Sequence, residues 1–302
     1  MKRIYLFLVI SLAGFCLCSC NDDKDEVAGY VEMTDTNVNA NDASADASLA
    51  RWEMPKTQSG YDYITHYIGT SELNYALEYA PTKYHAHWVA YRYDSNLKAQ
   101  KIGRTDEWGV EPFYNNNKQY QVAVQYFSGY NRGHILGSAE RLNTREANVQ
   151  TFYMSNMSPM LGNFNSIYWG EIEDLVRTWG RNCDSGDTLY VVKGATIDDR
   201  ILGTIFLDNT LGNQVQMVIP KYYFIAVLSL SSKGIAKAIG FWLEHKDYGN
   251  SSAPFLKTMR RGAVRSIDEL EELAHIDFFC NLPDWAEDIV ESHYNISSWS
   301  GL

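Results

Sequence analysis

Cysteine is scarce. The chain has five in 302 residues, and three of them, Cys16, Cys18 and Cys20, crowd into its start. That leaves Cys183 and Cys280, too few for a disulfide framework or a cysteine-built zinc site. Spacing along the chain does not set distance in space, so the sequence leaves open whether these two pair. Positive charge is short as well: 26 Lys and Arg face 37 Asp and Glu, a net −11. This is not the strongly basic footprint of a tight, non-specific nucleic-acid binder. It still permits an enzyme that is basic only locally, or one whose bound cation supplies charge. Long apolar runs are also missing. Residues 4–15 form one, interrupted by Ser11 and Gly14, but it falls short of the roughly 20 residues of a bilayer span. No internal period marks a repeat protein.

What is present at the N-terminus reads as targeting rather than fold. Lys2 and Arg3 precede the apolar run, the pattern of a secretory signal. The run ends in Leu17-Cys18-Ser19-Cys20, an apolar residue, a spacer, a small residue and a cysteine. That is the pattern of a lipoprotein signal, with residues 1–19 removed and Cys20 lipidated. The expected location is then the cell envelope, at the outer membrane and its surface, with an ordinary cleaved signal as the alternative. Residues 20–50 follow as an acidic tether: eight acids face the single base Lys24, with few large apolar residues. Such a segment buries too little surface to offset its ordering entropy. Without Lys2, Arg3 and the tether, residues 51–302 carry a net −6.

Residues 51–302 hold the single expected domain. At 45% hydrophobic and 14% aromatic the chain supports one sizeable core. Residues 86–93, 187–196, 220–230 and 236–243 have strand character, rich in β-branched and aromatic residues. Residues 119–126 alternate polar and apolar, and fit a strand or a loop. Residues 151–154 look like a short buried strand. Residues 165–179 place Ile167, Trp169, Ile172, Leu175, Val176 and Trp179 at helical spacing. Ser266 with Glu269 forms a capping-box signature that starts a second helix. Runs of strands with interposed helices predict an α+β fold around a mainly antiparallel central sheet flanked by helices.

Two segments carry possible chemistry: Asn131-Arg132-Gly133-His134, and residues 152–175 with Asn165 and Glu173. Hydrolysis of a phosphodiester needs a base for water, stabilisation of negative charge, and a held phosphate. Histidine is the natural base near neutral pH, and arginine suits phosphate. In an extended segment Arg132 and His134 share a face, and Gly133 permits close approach. Asn165 and Glu173, eight residues apart, fall on one helix face. An amide oxygen is an adequate ligand for Mg²⁺, and a carboxylate nearby can orient its waters. Taken alone, one His near one Arg is common and carries little.

The two blocks together resemble the DNA/RNA non-specific endonuclease family, the ββα-metal nucleases. That family's Asp-Arg-Gly-His stands here as Asn131-Arg132-Gly133-His134. Its second block stands as Ser155-Asn156-Met157-Ser158-Pro159, then Asn165, Trp169 and Glu173. The stretch from Ser266 to Glu271 followed by Ile276-Asp277-Phe278-Phe279 is similar to the end of that fold. Residues 75–91 and Gly103-Arg104-Thr105 are similar to its beginning. The resemblance spans about residues 72–283. It implies a ββα-metal catalytic motif and a metal-dependent endonuclease acting on DNA and RNA with little sequence preference. By the same resemblance His134 is the general base, Asn165 the direct ligand of Mg²⁺ (or Mn²⁺), and Glu173 a carboxylate behind the metal. Arg132 contacts phosphate, Arg104 stabilises the transition state, and Asn156 supports the metal loop. Asn131 departs from the pattern, keeping the shape of Asp without its charge.

Other groups are weaker. His85 and His87 would make half a metal site but have no evident third ligand. Lys257, Arg260, Arg261 and Arg265 form a basic run that fits either nucleic-acid backbone or a solvated surface. Two further readings stand beside the nuclease. One is a catalytically weak or inactive surface lipoprotein that binds nucleic acid or glycan. The other is a phosphodiesterase for a different substrate class.

Overall fold

The computed structural model describes residues 36–302. The signal segment, Cys20 and the first part of the tether lie outside those residues. The described chain is built on a seven-stranded antiparallel sheet. In chain order the strands and helices are β1 (Asp62–Ile68), β2 (Glu72–Ala80), β3 (His85–Tyr93), β4 (Asn131–His134), α1 (Arg145–Gln150), β5 (Met157–Met160), α2 (Gly170–Arg181), β6 (Thr188–Ala195), β7 (Ile201–Asp208), β8 (Gln214–Pro220), β9 (Tyr222–Leu230), β10 (Ala236–Glu244), α3 (Ala253–Ala263), β11 (Val264–Arg265), α4 (Ile267–Ala274) and α5 (Asp284–Glu291). The main sheet runs β1-β2-β3-β6-β9-β10-β11, while β4 with β5 and β7 with β8 form two separate ribbons.

Both faces of the main sheet are covered, which is why β2, β3 and β9 are buried almost end to end. Tyr75, Leu77, Tyr79, Val89, Tyr91 and Tyr93 point to one face and pack with Ile172, Val176 and Trp179 of α2. Trp88, Ala90, Val192 and Phe224 point to the other and pack with Ile267 and Leu270 of α4 and Val290 of α5. The capping box forms as expected: Glu269 N–H donates to Ser266 Oγ at 3.1 Å and Ser266 N–H donates to Glu269 at 2.9 Å. Cys183 packs against the first cluster and Cys280 sits in the second. The sheet separates them, and both thiols are free.

Two expectations change and one alternative is decided. Residues 151–154 are not a strand: they turn into a 3₁₀ turn, with one bridge from Tyr153 to Gly109. Residues 119–126, which fit a strand or a loop, finish a 3₁₀ turn at Tyr120 and continue as loop, with one bridge from Val122 to Asn209. The tether is packed from Thr36 onward. Asn41 accepts the Thr57 N–H and donates to the Pro55 carbonyl, each at 3.0 Å. Lys56 Nζ donates to the carbonyls of Asn39 and Ala40, and Asp284 N–H donates to the Thr36 carbonyl at 2.9 Å. The Asn, Asp and Ser that make this segment look disordered are instead spent on side chain to backbone bonds.

Candidate active site

The site grows from the β4–β5 ribbon. Register pairs Arg132 with Pro159, Gly133 with Ser158 and His134 with Met157. The chain leaving β4 is clamped by Asn156: Ile135 N–H donates to its carbonyl at 3.0 Å, Leu136 N–H donates to Oδ1 at 2.9 Å, and Nδ2 donates to Leu136 O at 2.9 Å and Thr151 O at 2.8 Å. Asn156 is fully buried. It is the fixed point that sets where His134 stands.

Asn165 approaches the ribbon from the other side. A Cβ on Gly133 would collide with the Met160 side chain and lie 3.0 Å from Asn165 Oδ1. Glycine at this position leaves room for both Met160 and Asn165 against β4. Asn165 sits in a π-helical turn, Phe164–Trp169, that runs into α2. The segment is not the continuous α-helix that the spacing predicts, but Asn165 still reaches β4 and Glu173 the turn just after it. Glu173 Oε1 would lie 3.2 Å from a Cβ on Gly137, just past β4. Trp169 and Trp179 are packing residues, as their spacing suggests.

Glu173 does not stand alone. Lys193, fully buried in β6, donates to Glu173 Oε1 at 2.7 Å and to Glu140 Oε2 at 2.6 Å. Burial raises the Glu173 carboxyl above its usual range, and Lys193 opposes the shift. Glu140 also accepts the Gly137 N–H at 2.9 Å and the Tyr91 hydroxyl at 2.7 Å. Of this triad, Lys193 and Glu140 lie outside the two sequence motifs. The signal of the triad was a lysine in the middle of an apolar strand, which is costly unless paired.

A cleft of about 260 Å³ opens beside the ribbon, lined by Arg104, Trp108, Tyr126, Tyr130, Asn131, Arg132 and Asn165 among others. The Arg132 guanidinium is sandwiched, 3.5 Å over the Trp108 ring and 4.6 Å from Tyr126. Arg104 lies 4.7 Å over Phe152 and donates to Asp106 at 2.7 Å and to Ser138 Oγ at 2.9 Å. His134 stands against the same aromatic residues, with its ring 5.7 Å from Trp108 and 5.0 Å from Phe152. Its Nε2 is buried and has no hydrogen-bond partner. Burial, then the charge of Arg104, pushes the imidazole down to about 3. It is thus neutral at ordinary pH, the state a proton acceptor needs. Trp108 and Tyr126 were not singled out from sequence, because a lone aromatic in a loop carries no pattern.

The residues present fit a hard cation. Asn165 offers an amide oxygen, Glu173 a carboxylate, and the space left by Gly133 admits the first to the ribbon. Among the described residues, the group of three acidic side chains close enough to share one ion lies elsewhere, at Asp268, Glu271 and Glu291. His85 and His87 are not a half-site. His85 Nε2 lies 2.6 Å from Ser158 Oγ, and His87 pairs with Glu78 at 3.0 Å. The basic run is not brought to the cleft either: Arg260 pairs with Glu171, and Arg261 and Arg265 bond to main-chain carbonyls.

The sequence profile of the DNA/RNA non-specific endonuclease family matches residues 56–285. A nuclease of Nostoc is 30% identical over 225 residues, covering 72% of this chain and 75% of that one. The mitochondrial nuclease EXOG of Danio rerio is 25% identical over 233 residues, covering 74% of this chain and 62% of that one. Among solved structures, a chain of the EndoG/EndoGI complex superposes with a TM-score of 0.52 at 18% identity, covering 72% of this chain and 86% of that one. The α+β architecture read from the sequence is the fold these neighbours share. The chain belongs to the DNA/RNA non-specific endonuclease family.

Proposed function

We propose that the chain hydrolyses phosphodiester bonds of both DNA and RNA with little sequence preference, using His134 as base and Mg²⁺ held by Asn165. The observation that carries this reading is the gathering of Arg104, Arg132 and Asn165 on one cleft beside a neutral imidazole whose Nε2 is buried and unpartnered. In the reaction, the His134 imidazole takes a proton from the attacking water as its oxygen bonds to phosphorus. The bond from phosphorus to the 3′ oxygen breaks, and that oxygen leaves with a proton from solvent, giving a 5′-phosphorylated end. Arg132 and Arg104 hold the non-bridging oxygens. Tyr126 and Trp108 fix the plane of Arg132, so that its fork is aimed before substrate arrives. Glu173, held by Lys193, would orient waters of the cation. The cation, when bound, supplies charge stabilisation at the phosphate and the leaving oxygen. Contacts of this kind are to backbone and carry no sequence information.

The chain is also proposed to be exported and lipid-anchored to the cell envelope through Cys20. Metabolic labelling with a fatty acid tests that part: label lost in Cys20→Ser supports it, and unchanged label contradicts it. For the chemistry, purified chain is given plasmid and RNA with Mg²⁺ or Mn²⁺. Degradation of both, stopped by chelator, is expected. Binding without cleavage in every divalent cation would favour a non-enzymatic surface protein instead.

A further inference from the structure

We propose that α4 and α5 together form a Ca²⁺ site, with Asp268, Glu271 and Glu291 as its protein ligands. The site is separate from the cleft, since Ile267, Leu270 and Val290 on these helices pack against the opposite face of the main sheet. Asp268 and Glu271 are three residues apart on α4, so they project from one edge. The capping box at Ser266 fixes the start of that helix. Glu271 is oriented further, since its Oε1 accepts the Phe278 N–H at 2.7 Å. Glu291, the last residue of α5, is aimed at this pair from across the gap. One carboxylate oxygen from each of the three lies within 4.8 Å of the others.

Glu291 is the observation that turns an acidic cluster into a site. It is only 4% exposed, and its Oε1 is buried with no hydrogen-bond partner. No ion pair among the described residues includes any of the three acids. A buried carboxylate without a partner, facing two others, is costly as it stands. A cation shared by all three removes both the repulsion and the unmet bonding. The donors are all oxygen, which selects a hard cation. Three carboxylates gathered at one point suit Ca²⁺, which takes about 6–8 oxygen ligands, better than Mg²⁺, which keeps several waters and is usually held by one or two carboxylates. Glu291 also lies past the end of the family match at residue 285. The site would tie α5, and with it the segment at residues 36–41 that bonds to residues 281–287, to the body of the fold.

The test uses the purified full chain carrying Asn165→Ala, so that the cleft does not contribute, with CaCl₂ titrated by calorimetry after chelator treatment. The expected result is one Ca²⁺ per chain, a melting temperature several degrees higher with Ca²⁺ than with chelator, and at least tenfold weaker binding of Mg²⁺. Adding Glu291→Gln should abolish the Ca²⁺ response and raise the melting temperature measured in chelator. Adding Glu271→Gln instead should weaken Ca²⁺ binding, and serves if the first variant does not fold. No heat and no thermal shift with Ca²⁺, a Ca²⁺ response unchanged in both glutamine variants, or equal affinity for Mg²⁺ would overturn the proposal. A protein that cleaves nucleic acid but shows none of these responses loses this site and keeps its proposed function.

Discussion

At the scale of residues, the account turns on an imidazole kept neutral by its surroundings. His134→Ala should lower kcat by about 10²–10⁴-fold, the usual contribution of a general base, with no loss of melting temperature. Cleavage of plasmid at saturating Mg²⁺ measures it. The pH behaviour follows from the depressed pKa. The unfolded imidazole titrates near 6.5, whereas burial and Arg104 hold the folded one at about 3. Below about pH 6.5 the unfolded chain takes a proton that the folded chain refuses. His134 therefore costs stability as pH falls through that window, and His134→Ala should flatten that part of a urea-denaturation profile. Bound phosphate offsets the charges of Arg104 and Arg132, so the acid limb of kcat should lie at higher pH than that of kcat/KM. Asn131 is the third test. Asn131→Asp restores a negative charge at the cleft and should lower the Mg²⁺ concentration for half-maximal rate by roughly 10-fold. At this scale the sequence marks positions that lie in short motifs, as with Arg132, His134, Asn156 and Asn165, and the structure gathers them around one ribbon. The sequence was silent on Trp108 and Tyr126, whose contact with Arg132 depends on loop geometry.

At the scale of elements, the site is a ribbon, a π-helical turn and a helix held in place by a buried ion triad. Lys193 joins β6 to α2 through Glu173, and to the turn after β4 through Glu140. Lys193→Met leaves two carboxylates buried without a cation and should cost about 3–5 kcal/mol in urea denaturation. Combining it with Glu140→Gln and Glu173→Gln should recover most of that stability while activity stays low. Recovery of stability with full activity would mean the triad is purely structural. The strands with β-branched and aromatic runs were legible, because pattern and burial agree. The β7–β8 ribbon was not identified, because it is half exposed and carries apolar residues such as Phe206 on its open side. Residues 151–154 misled because their burial comes from a turn beneath the ribbon, and a short buried run looks alike in a strand or a turn. The π-helical turn at Phe164–Trp169 leaves no mark in helical spacing.

At the scale of the whole molecule, a chain of net −11 still brings two cationic groups to its cleft. Arg104 and Arg132 are the guanidiniums that line it. With about two phosphates neutralised, log(kcat/KM) should fall with log[salt] with a slope of about 2, far shallower than for proteins that coat DNA. A slope above about 6 would point to an extended basic contact surface beyond these two groups. The central claim is that His134 and Asn165 do different work on one phosphodiester. Single-turnover cleavage of an oligonucleotide across a Mg²⁺ titration, with wild type, His134→Ala and Asn165→Ala side by side, tests it most directly. The account predicts that His134→Ala keeps the wild-type Mg²⁺ midpoint with a rate collapsed at every concentration, and that Asn165→Ala shifts the midpoint upward. A His134→Ala chain that cuts as fast as wild type, or an Asn165→Ala chain with an unmoved midpoint, would contradict it.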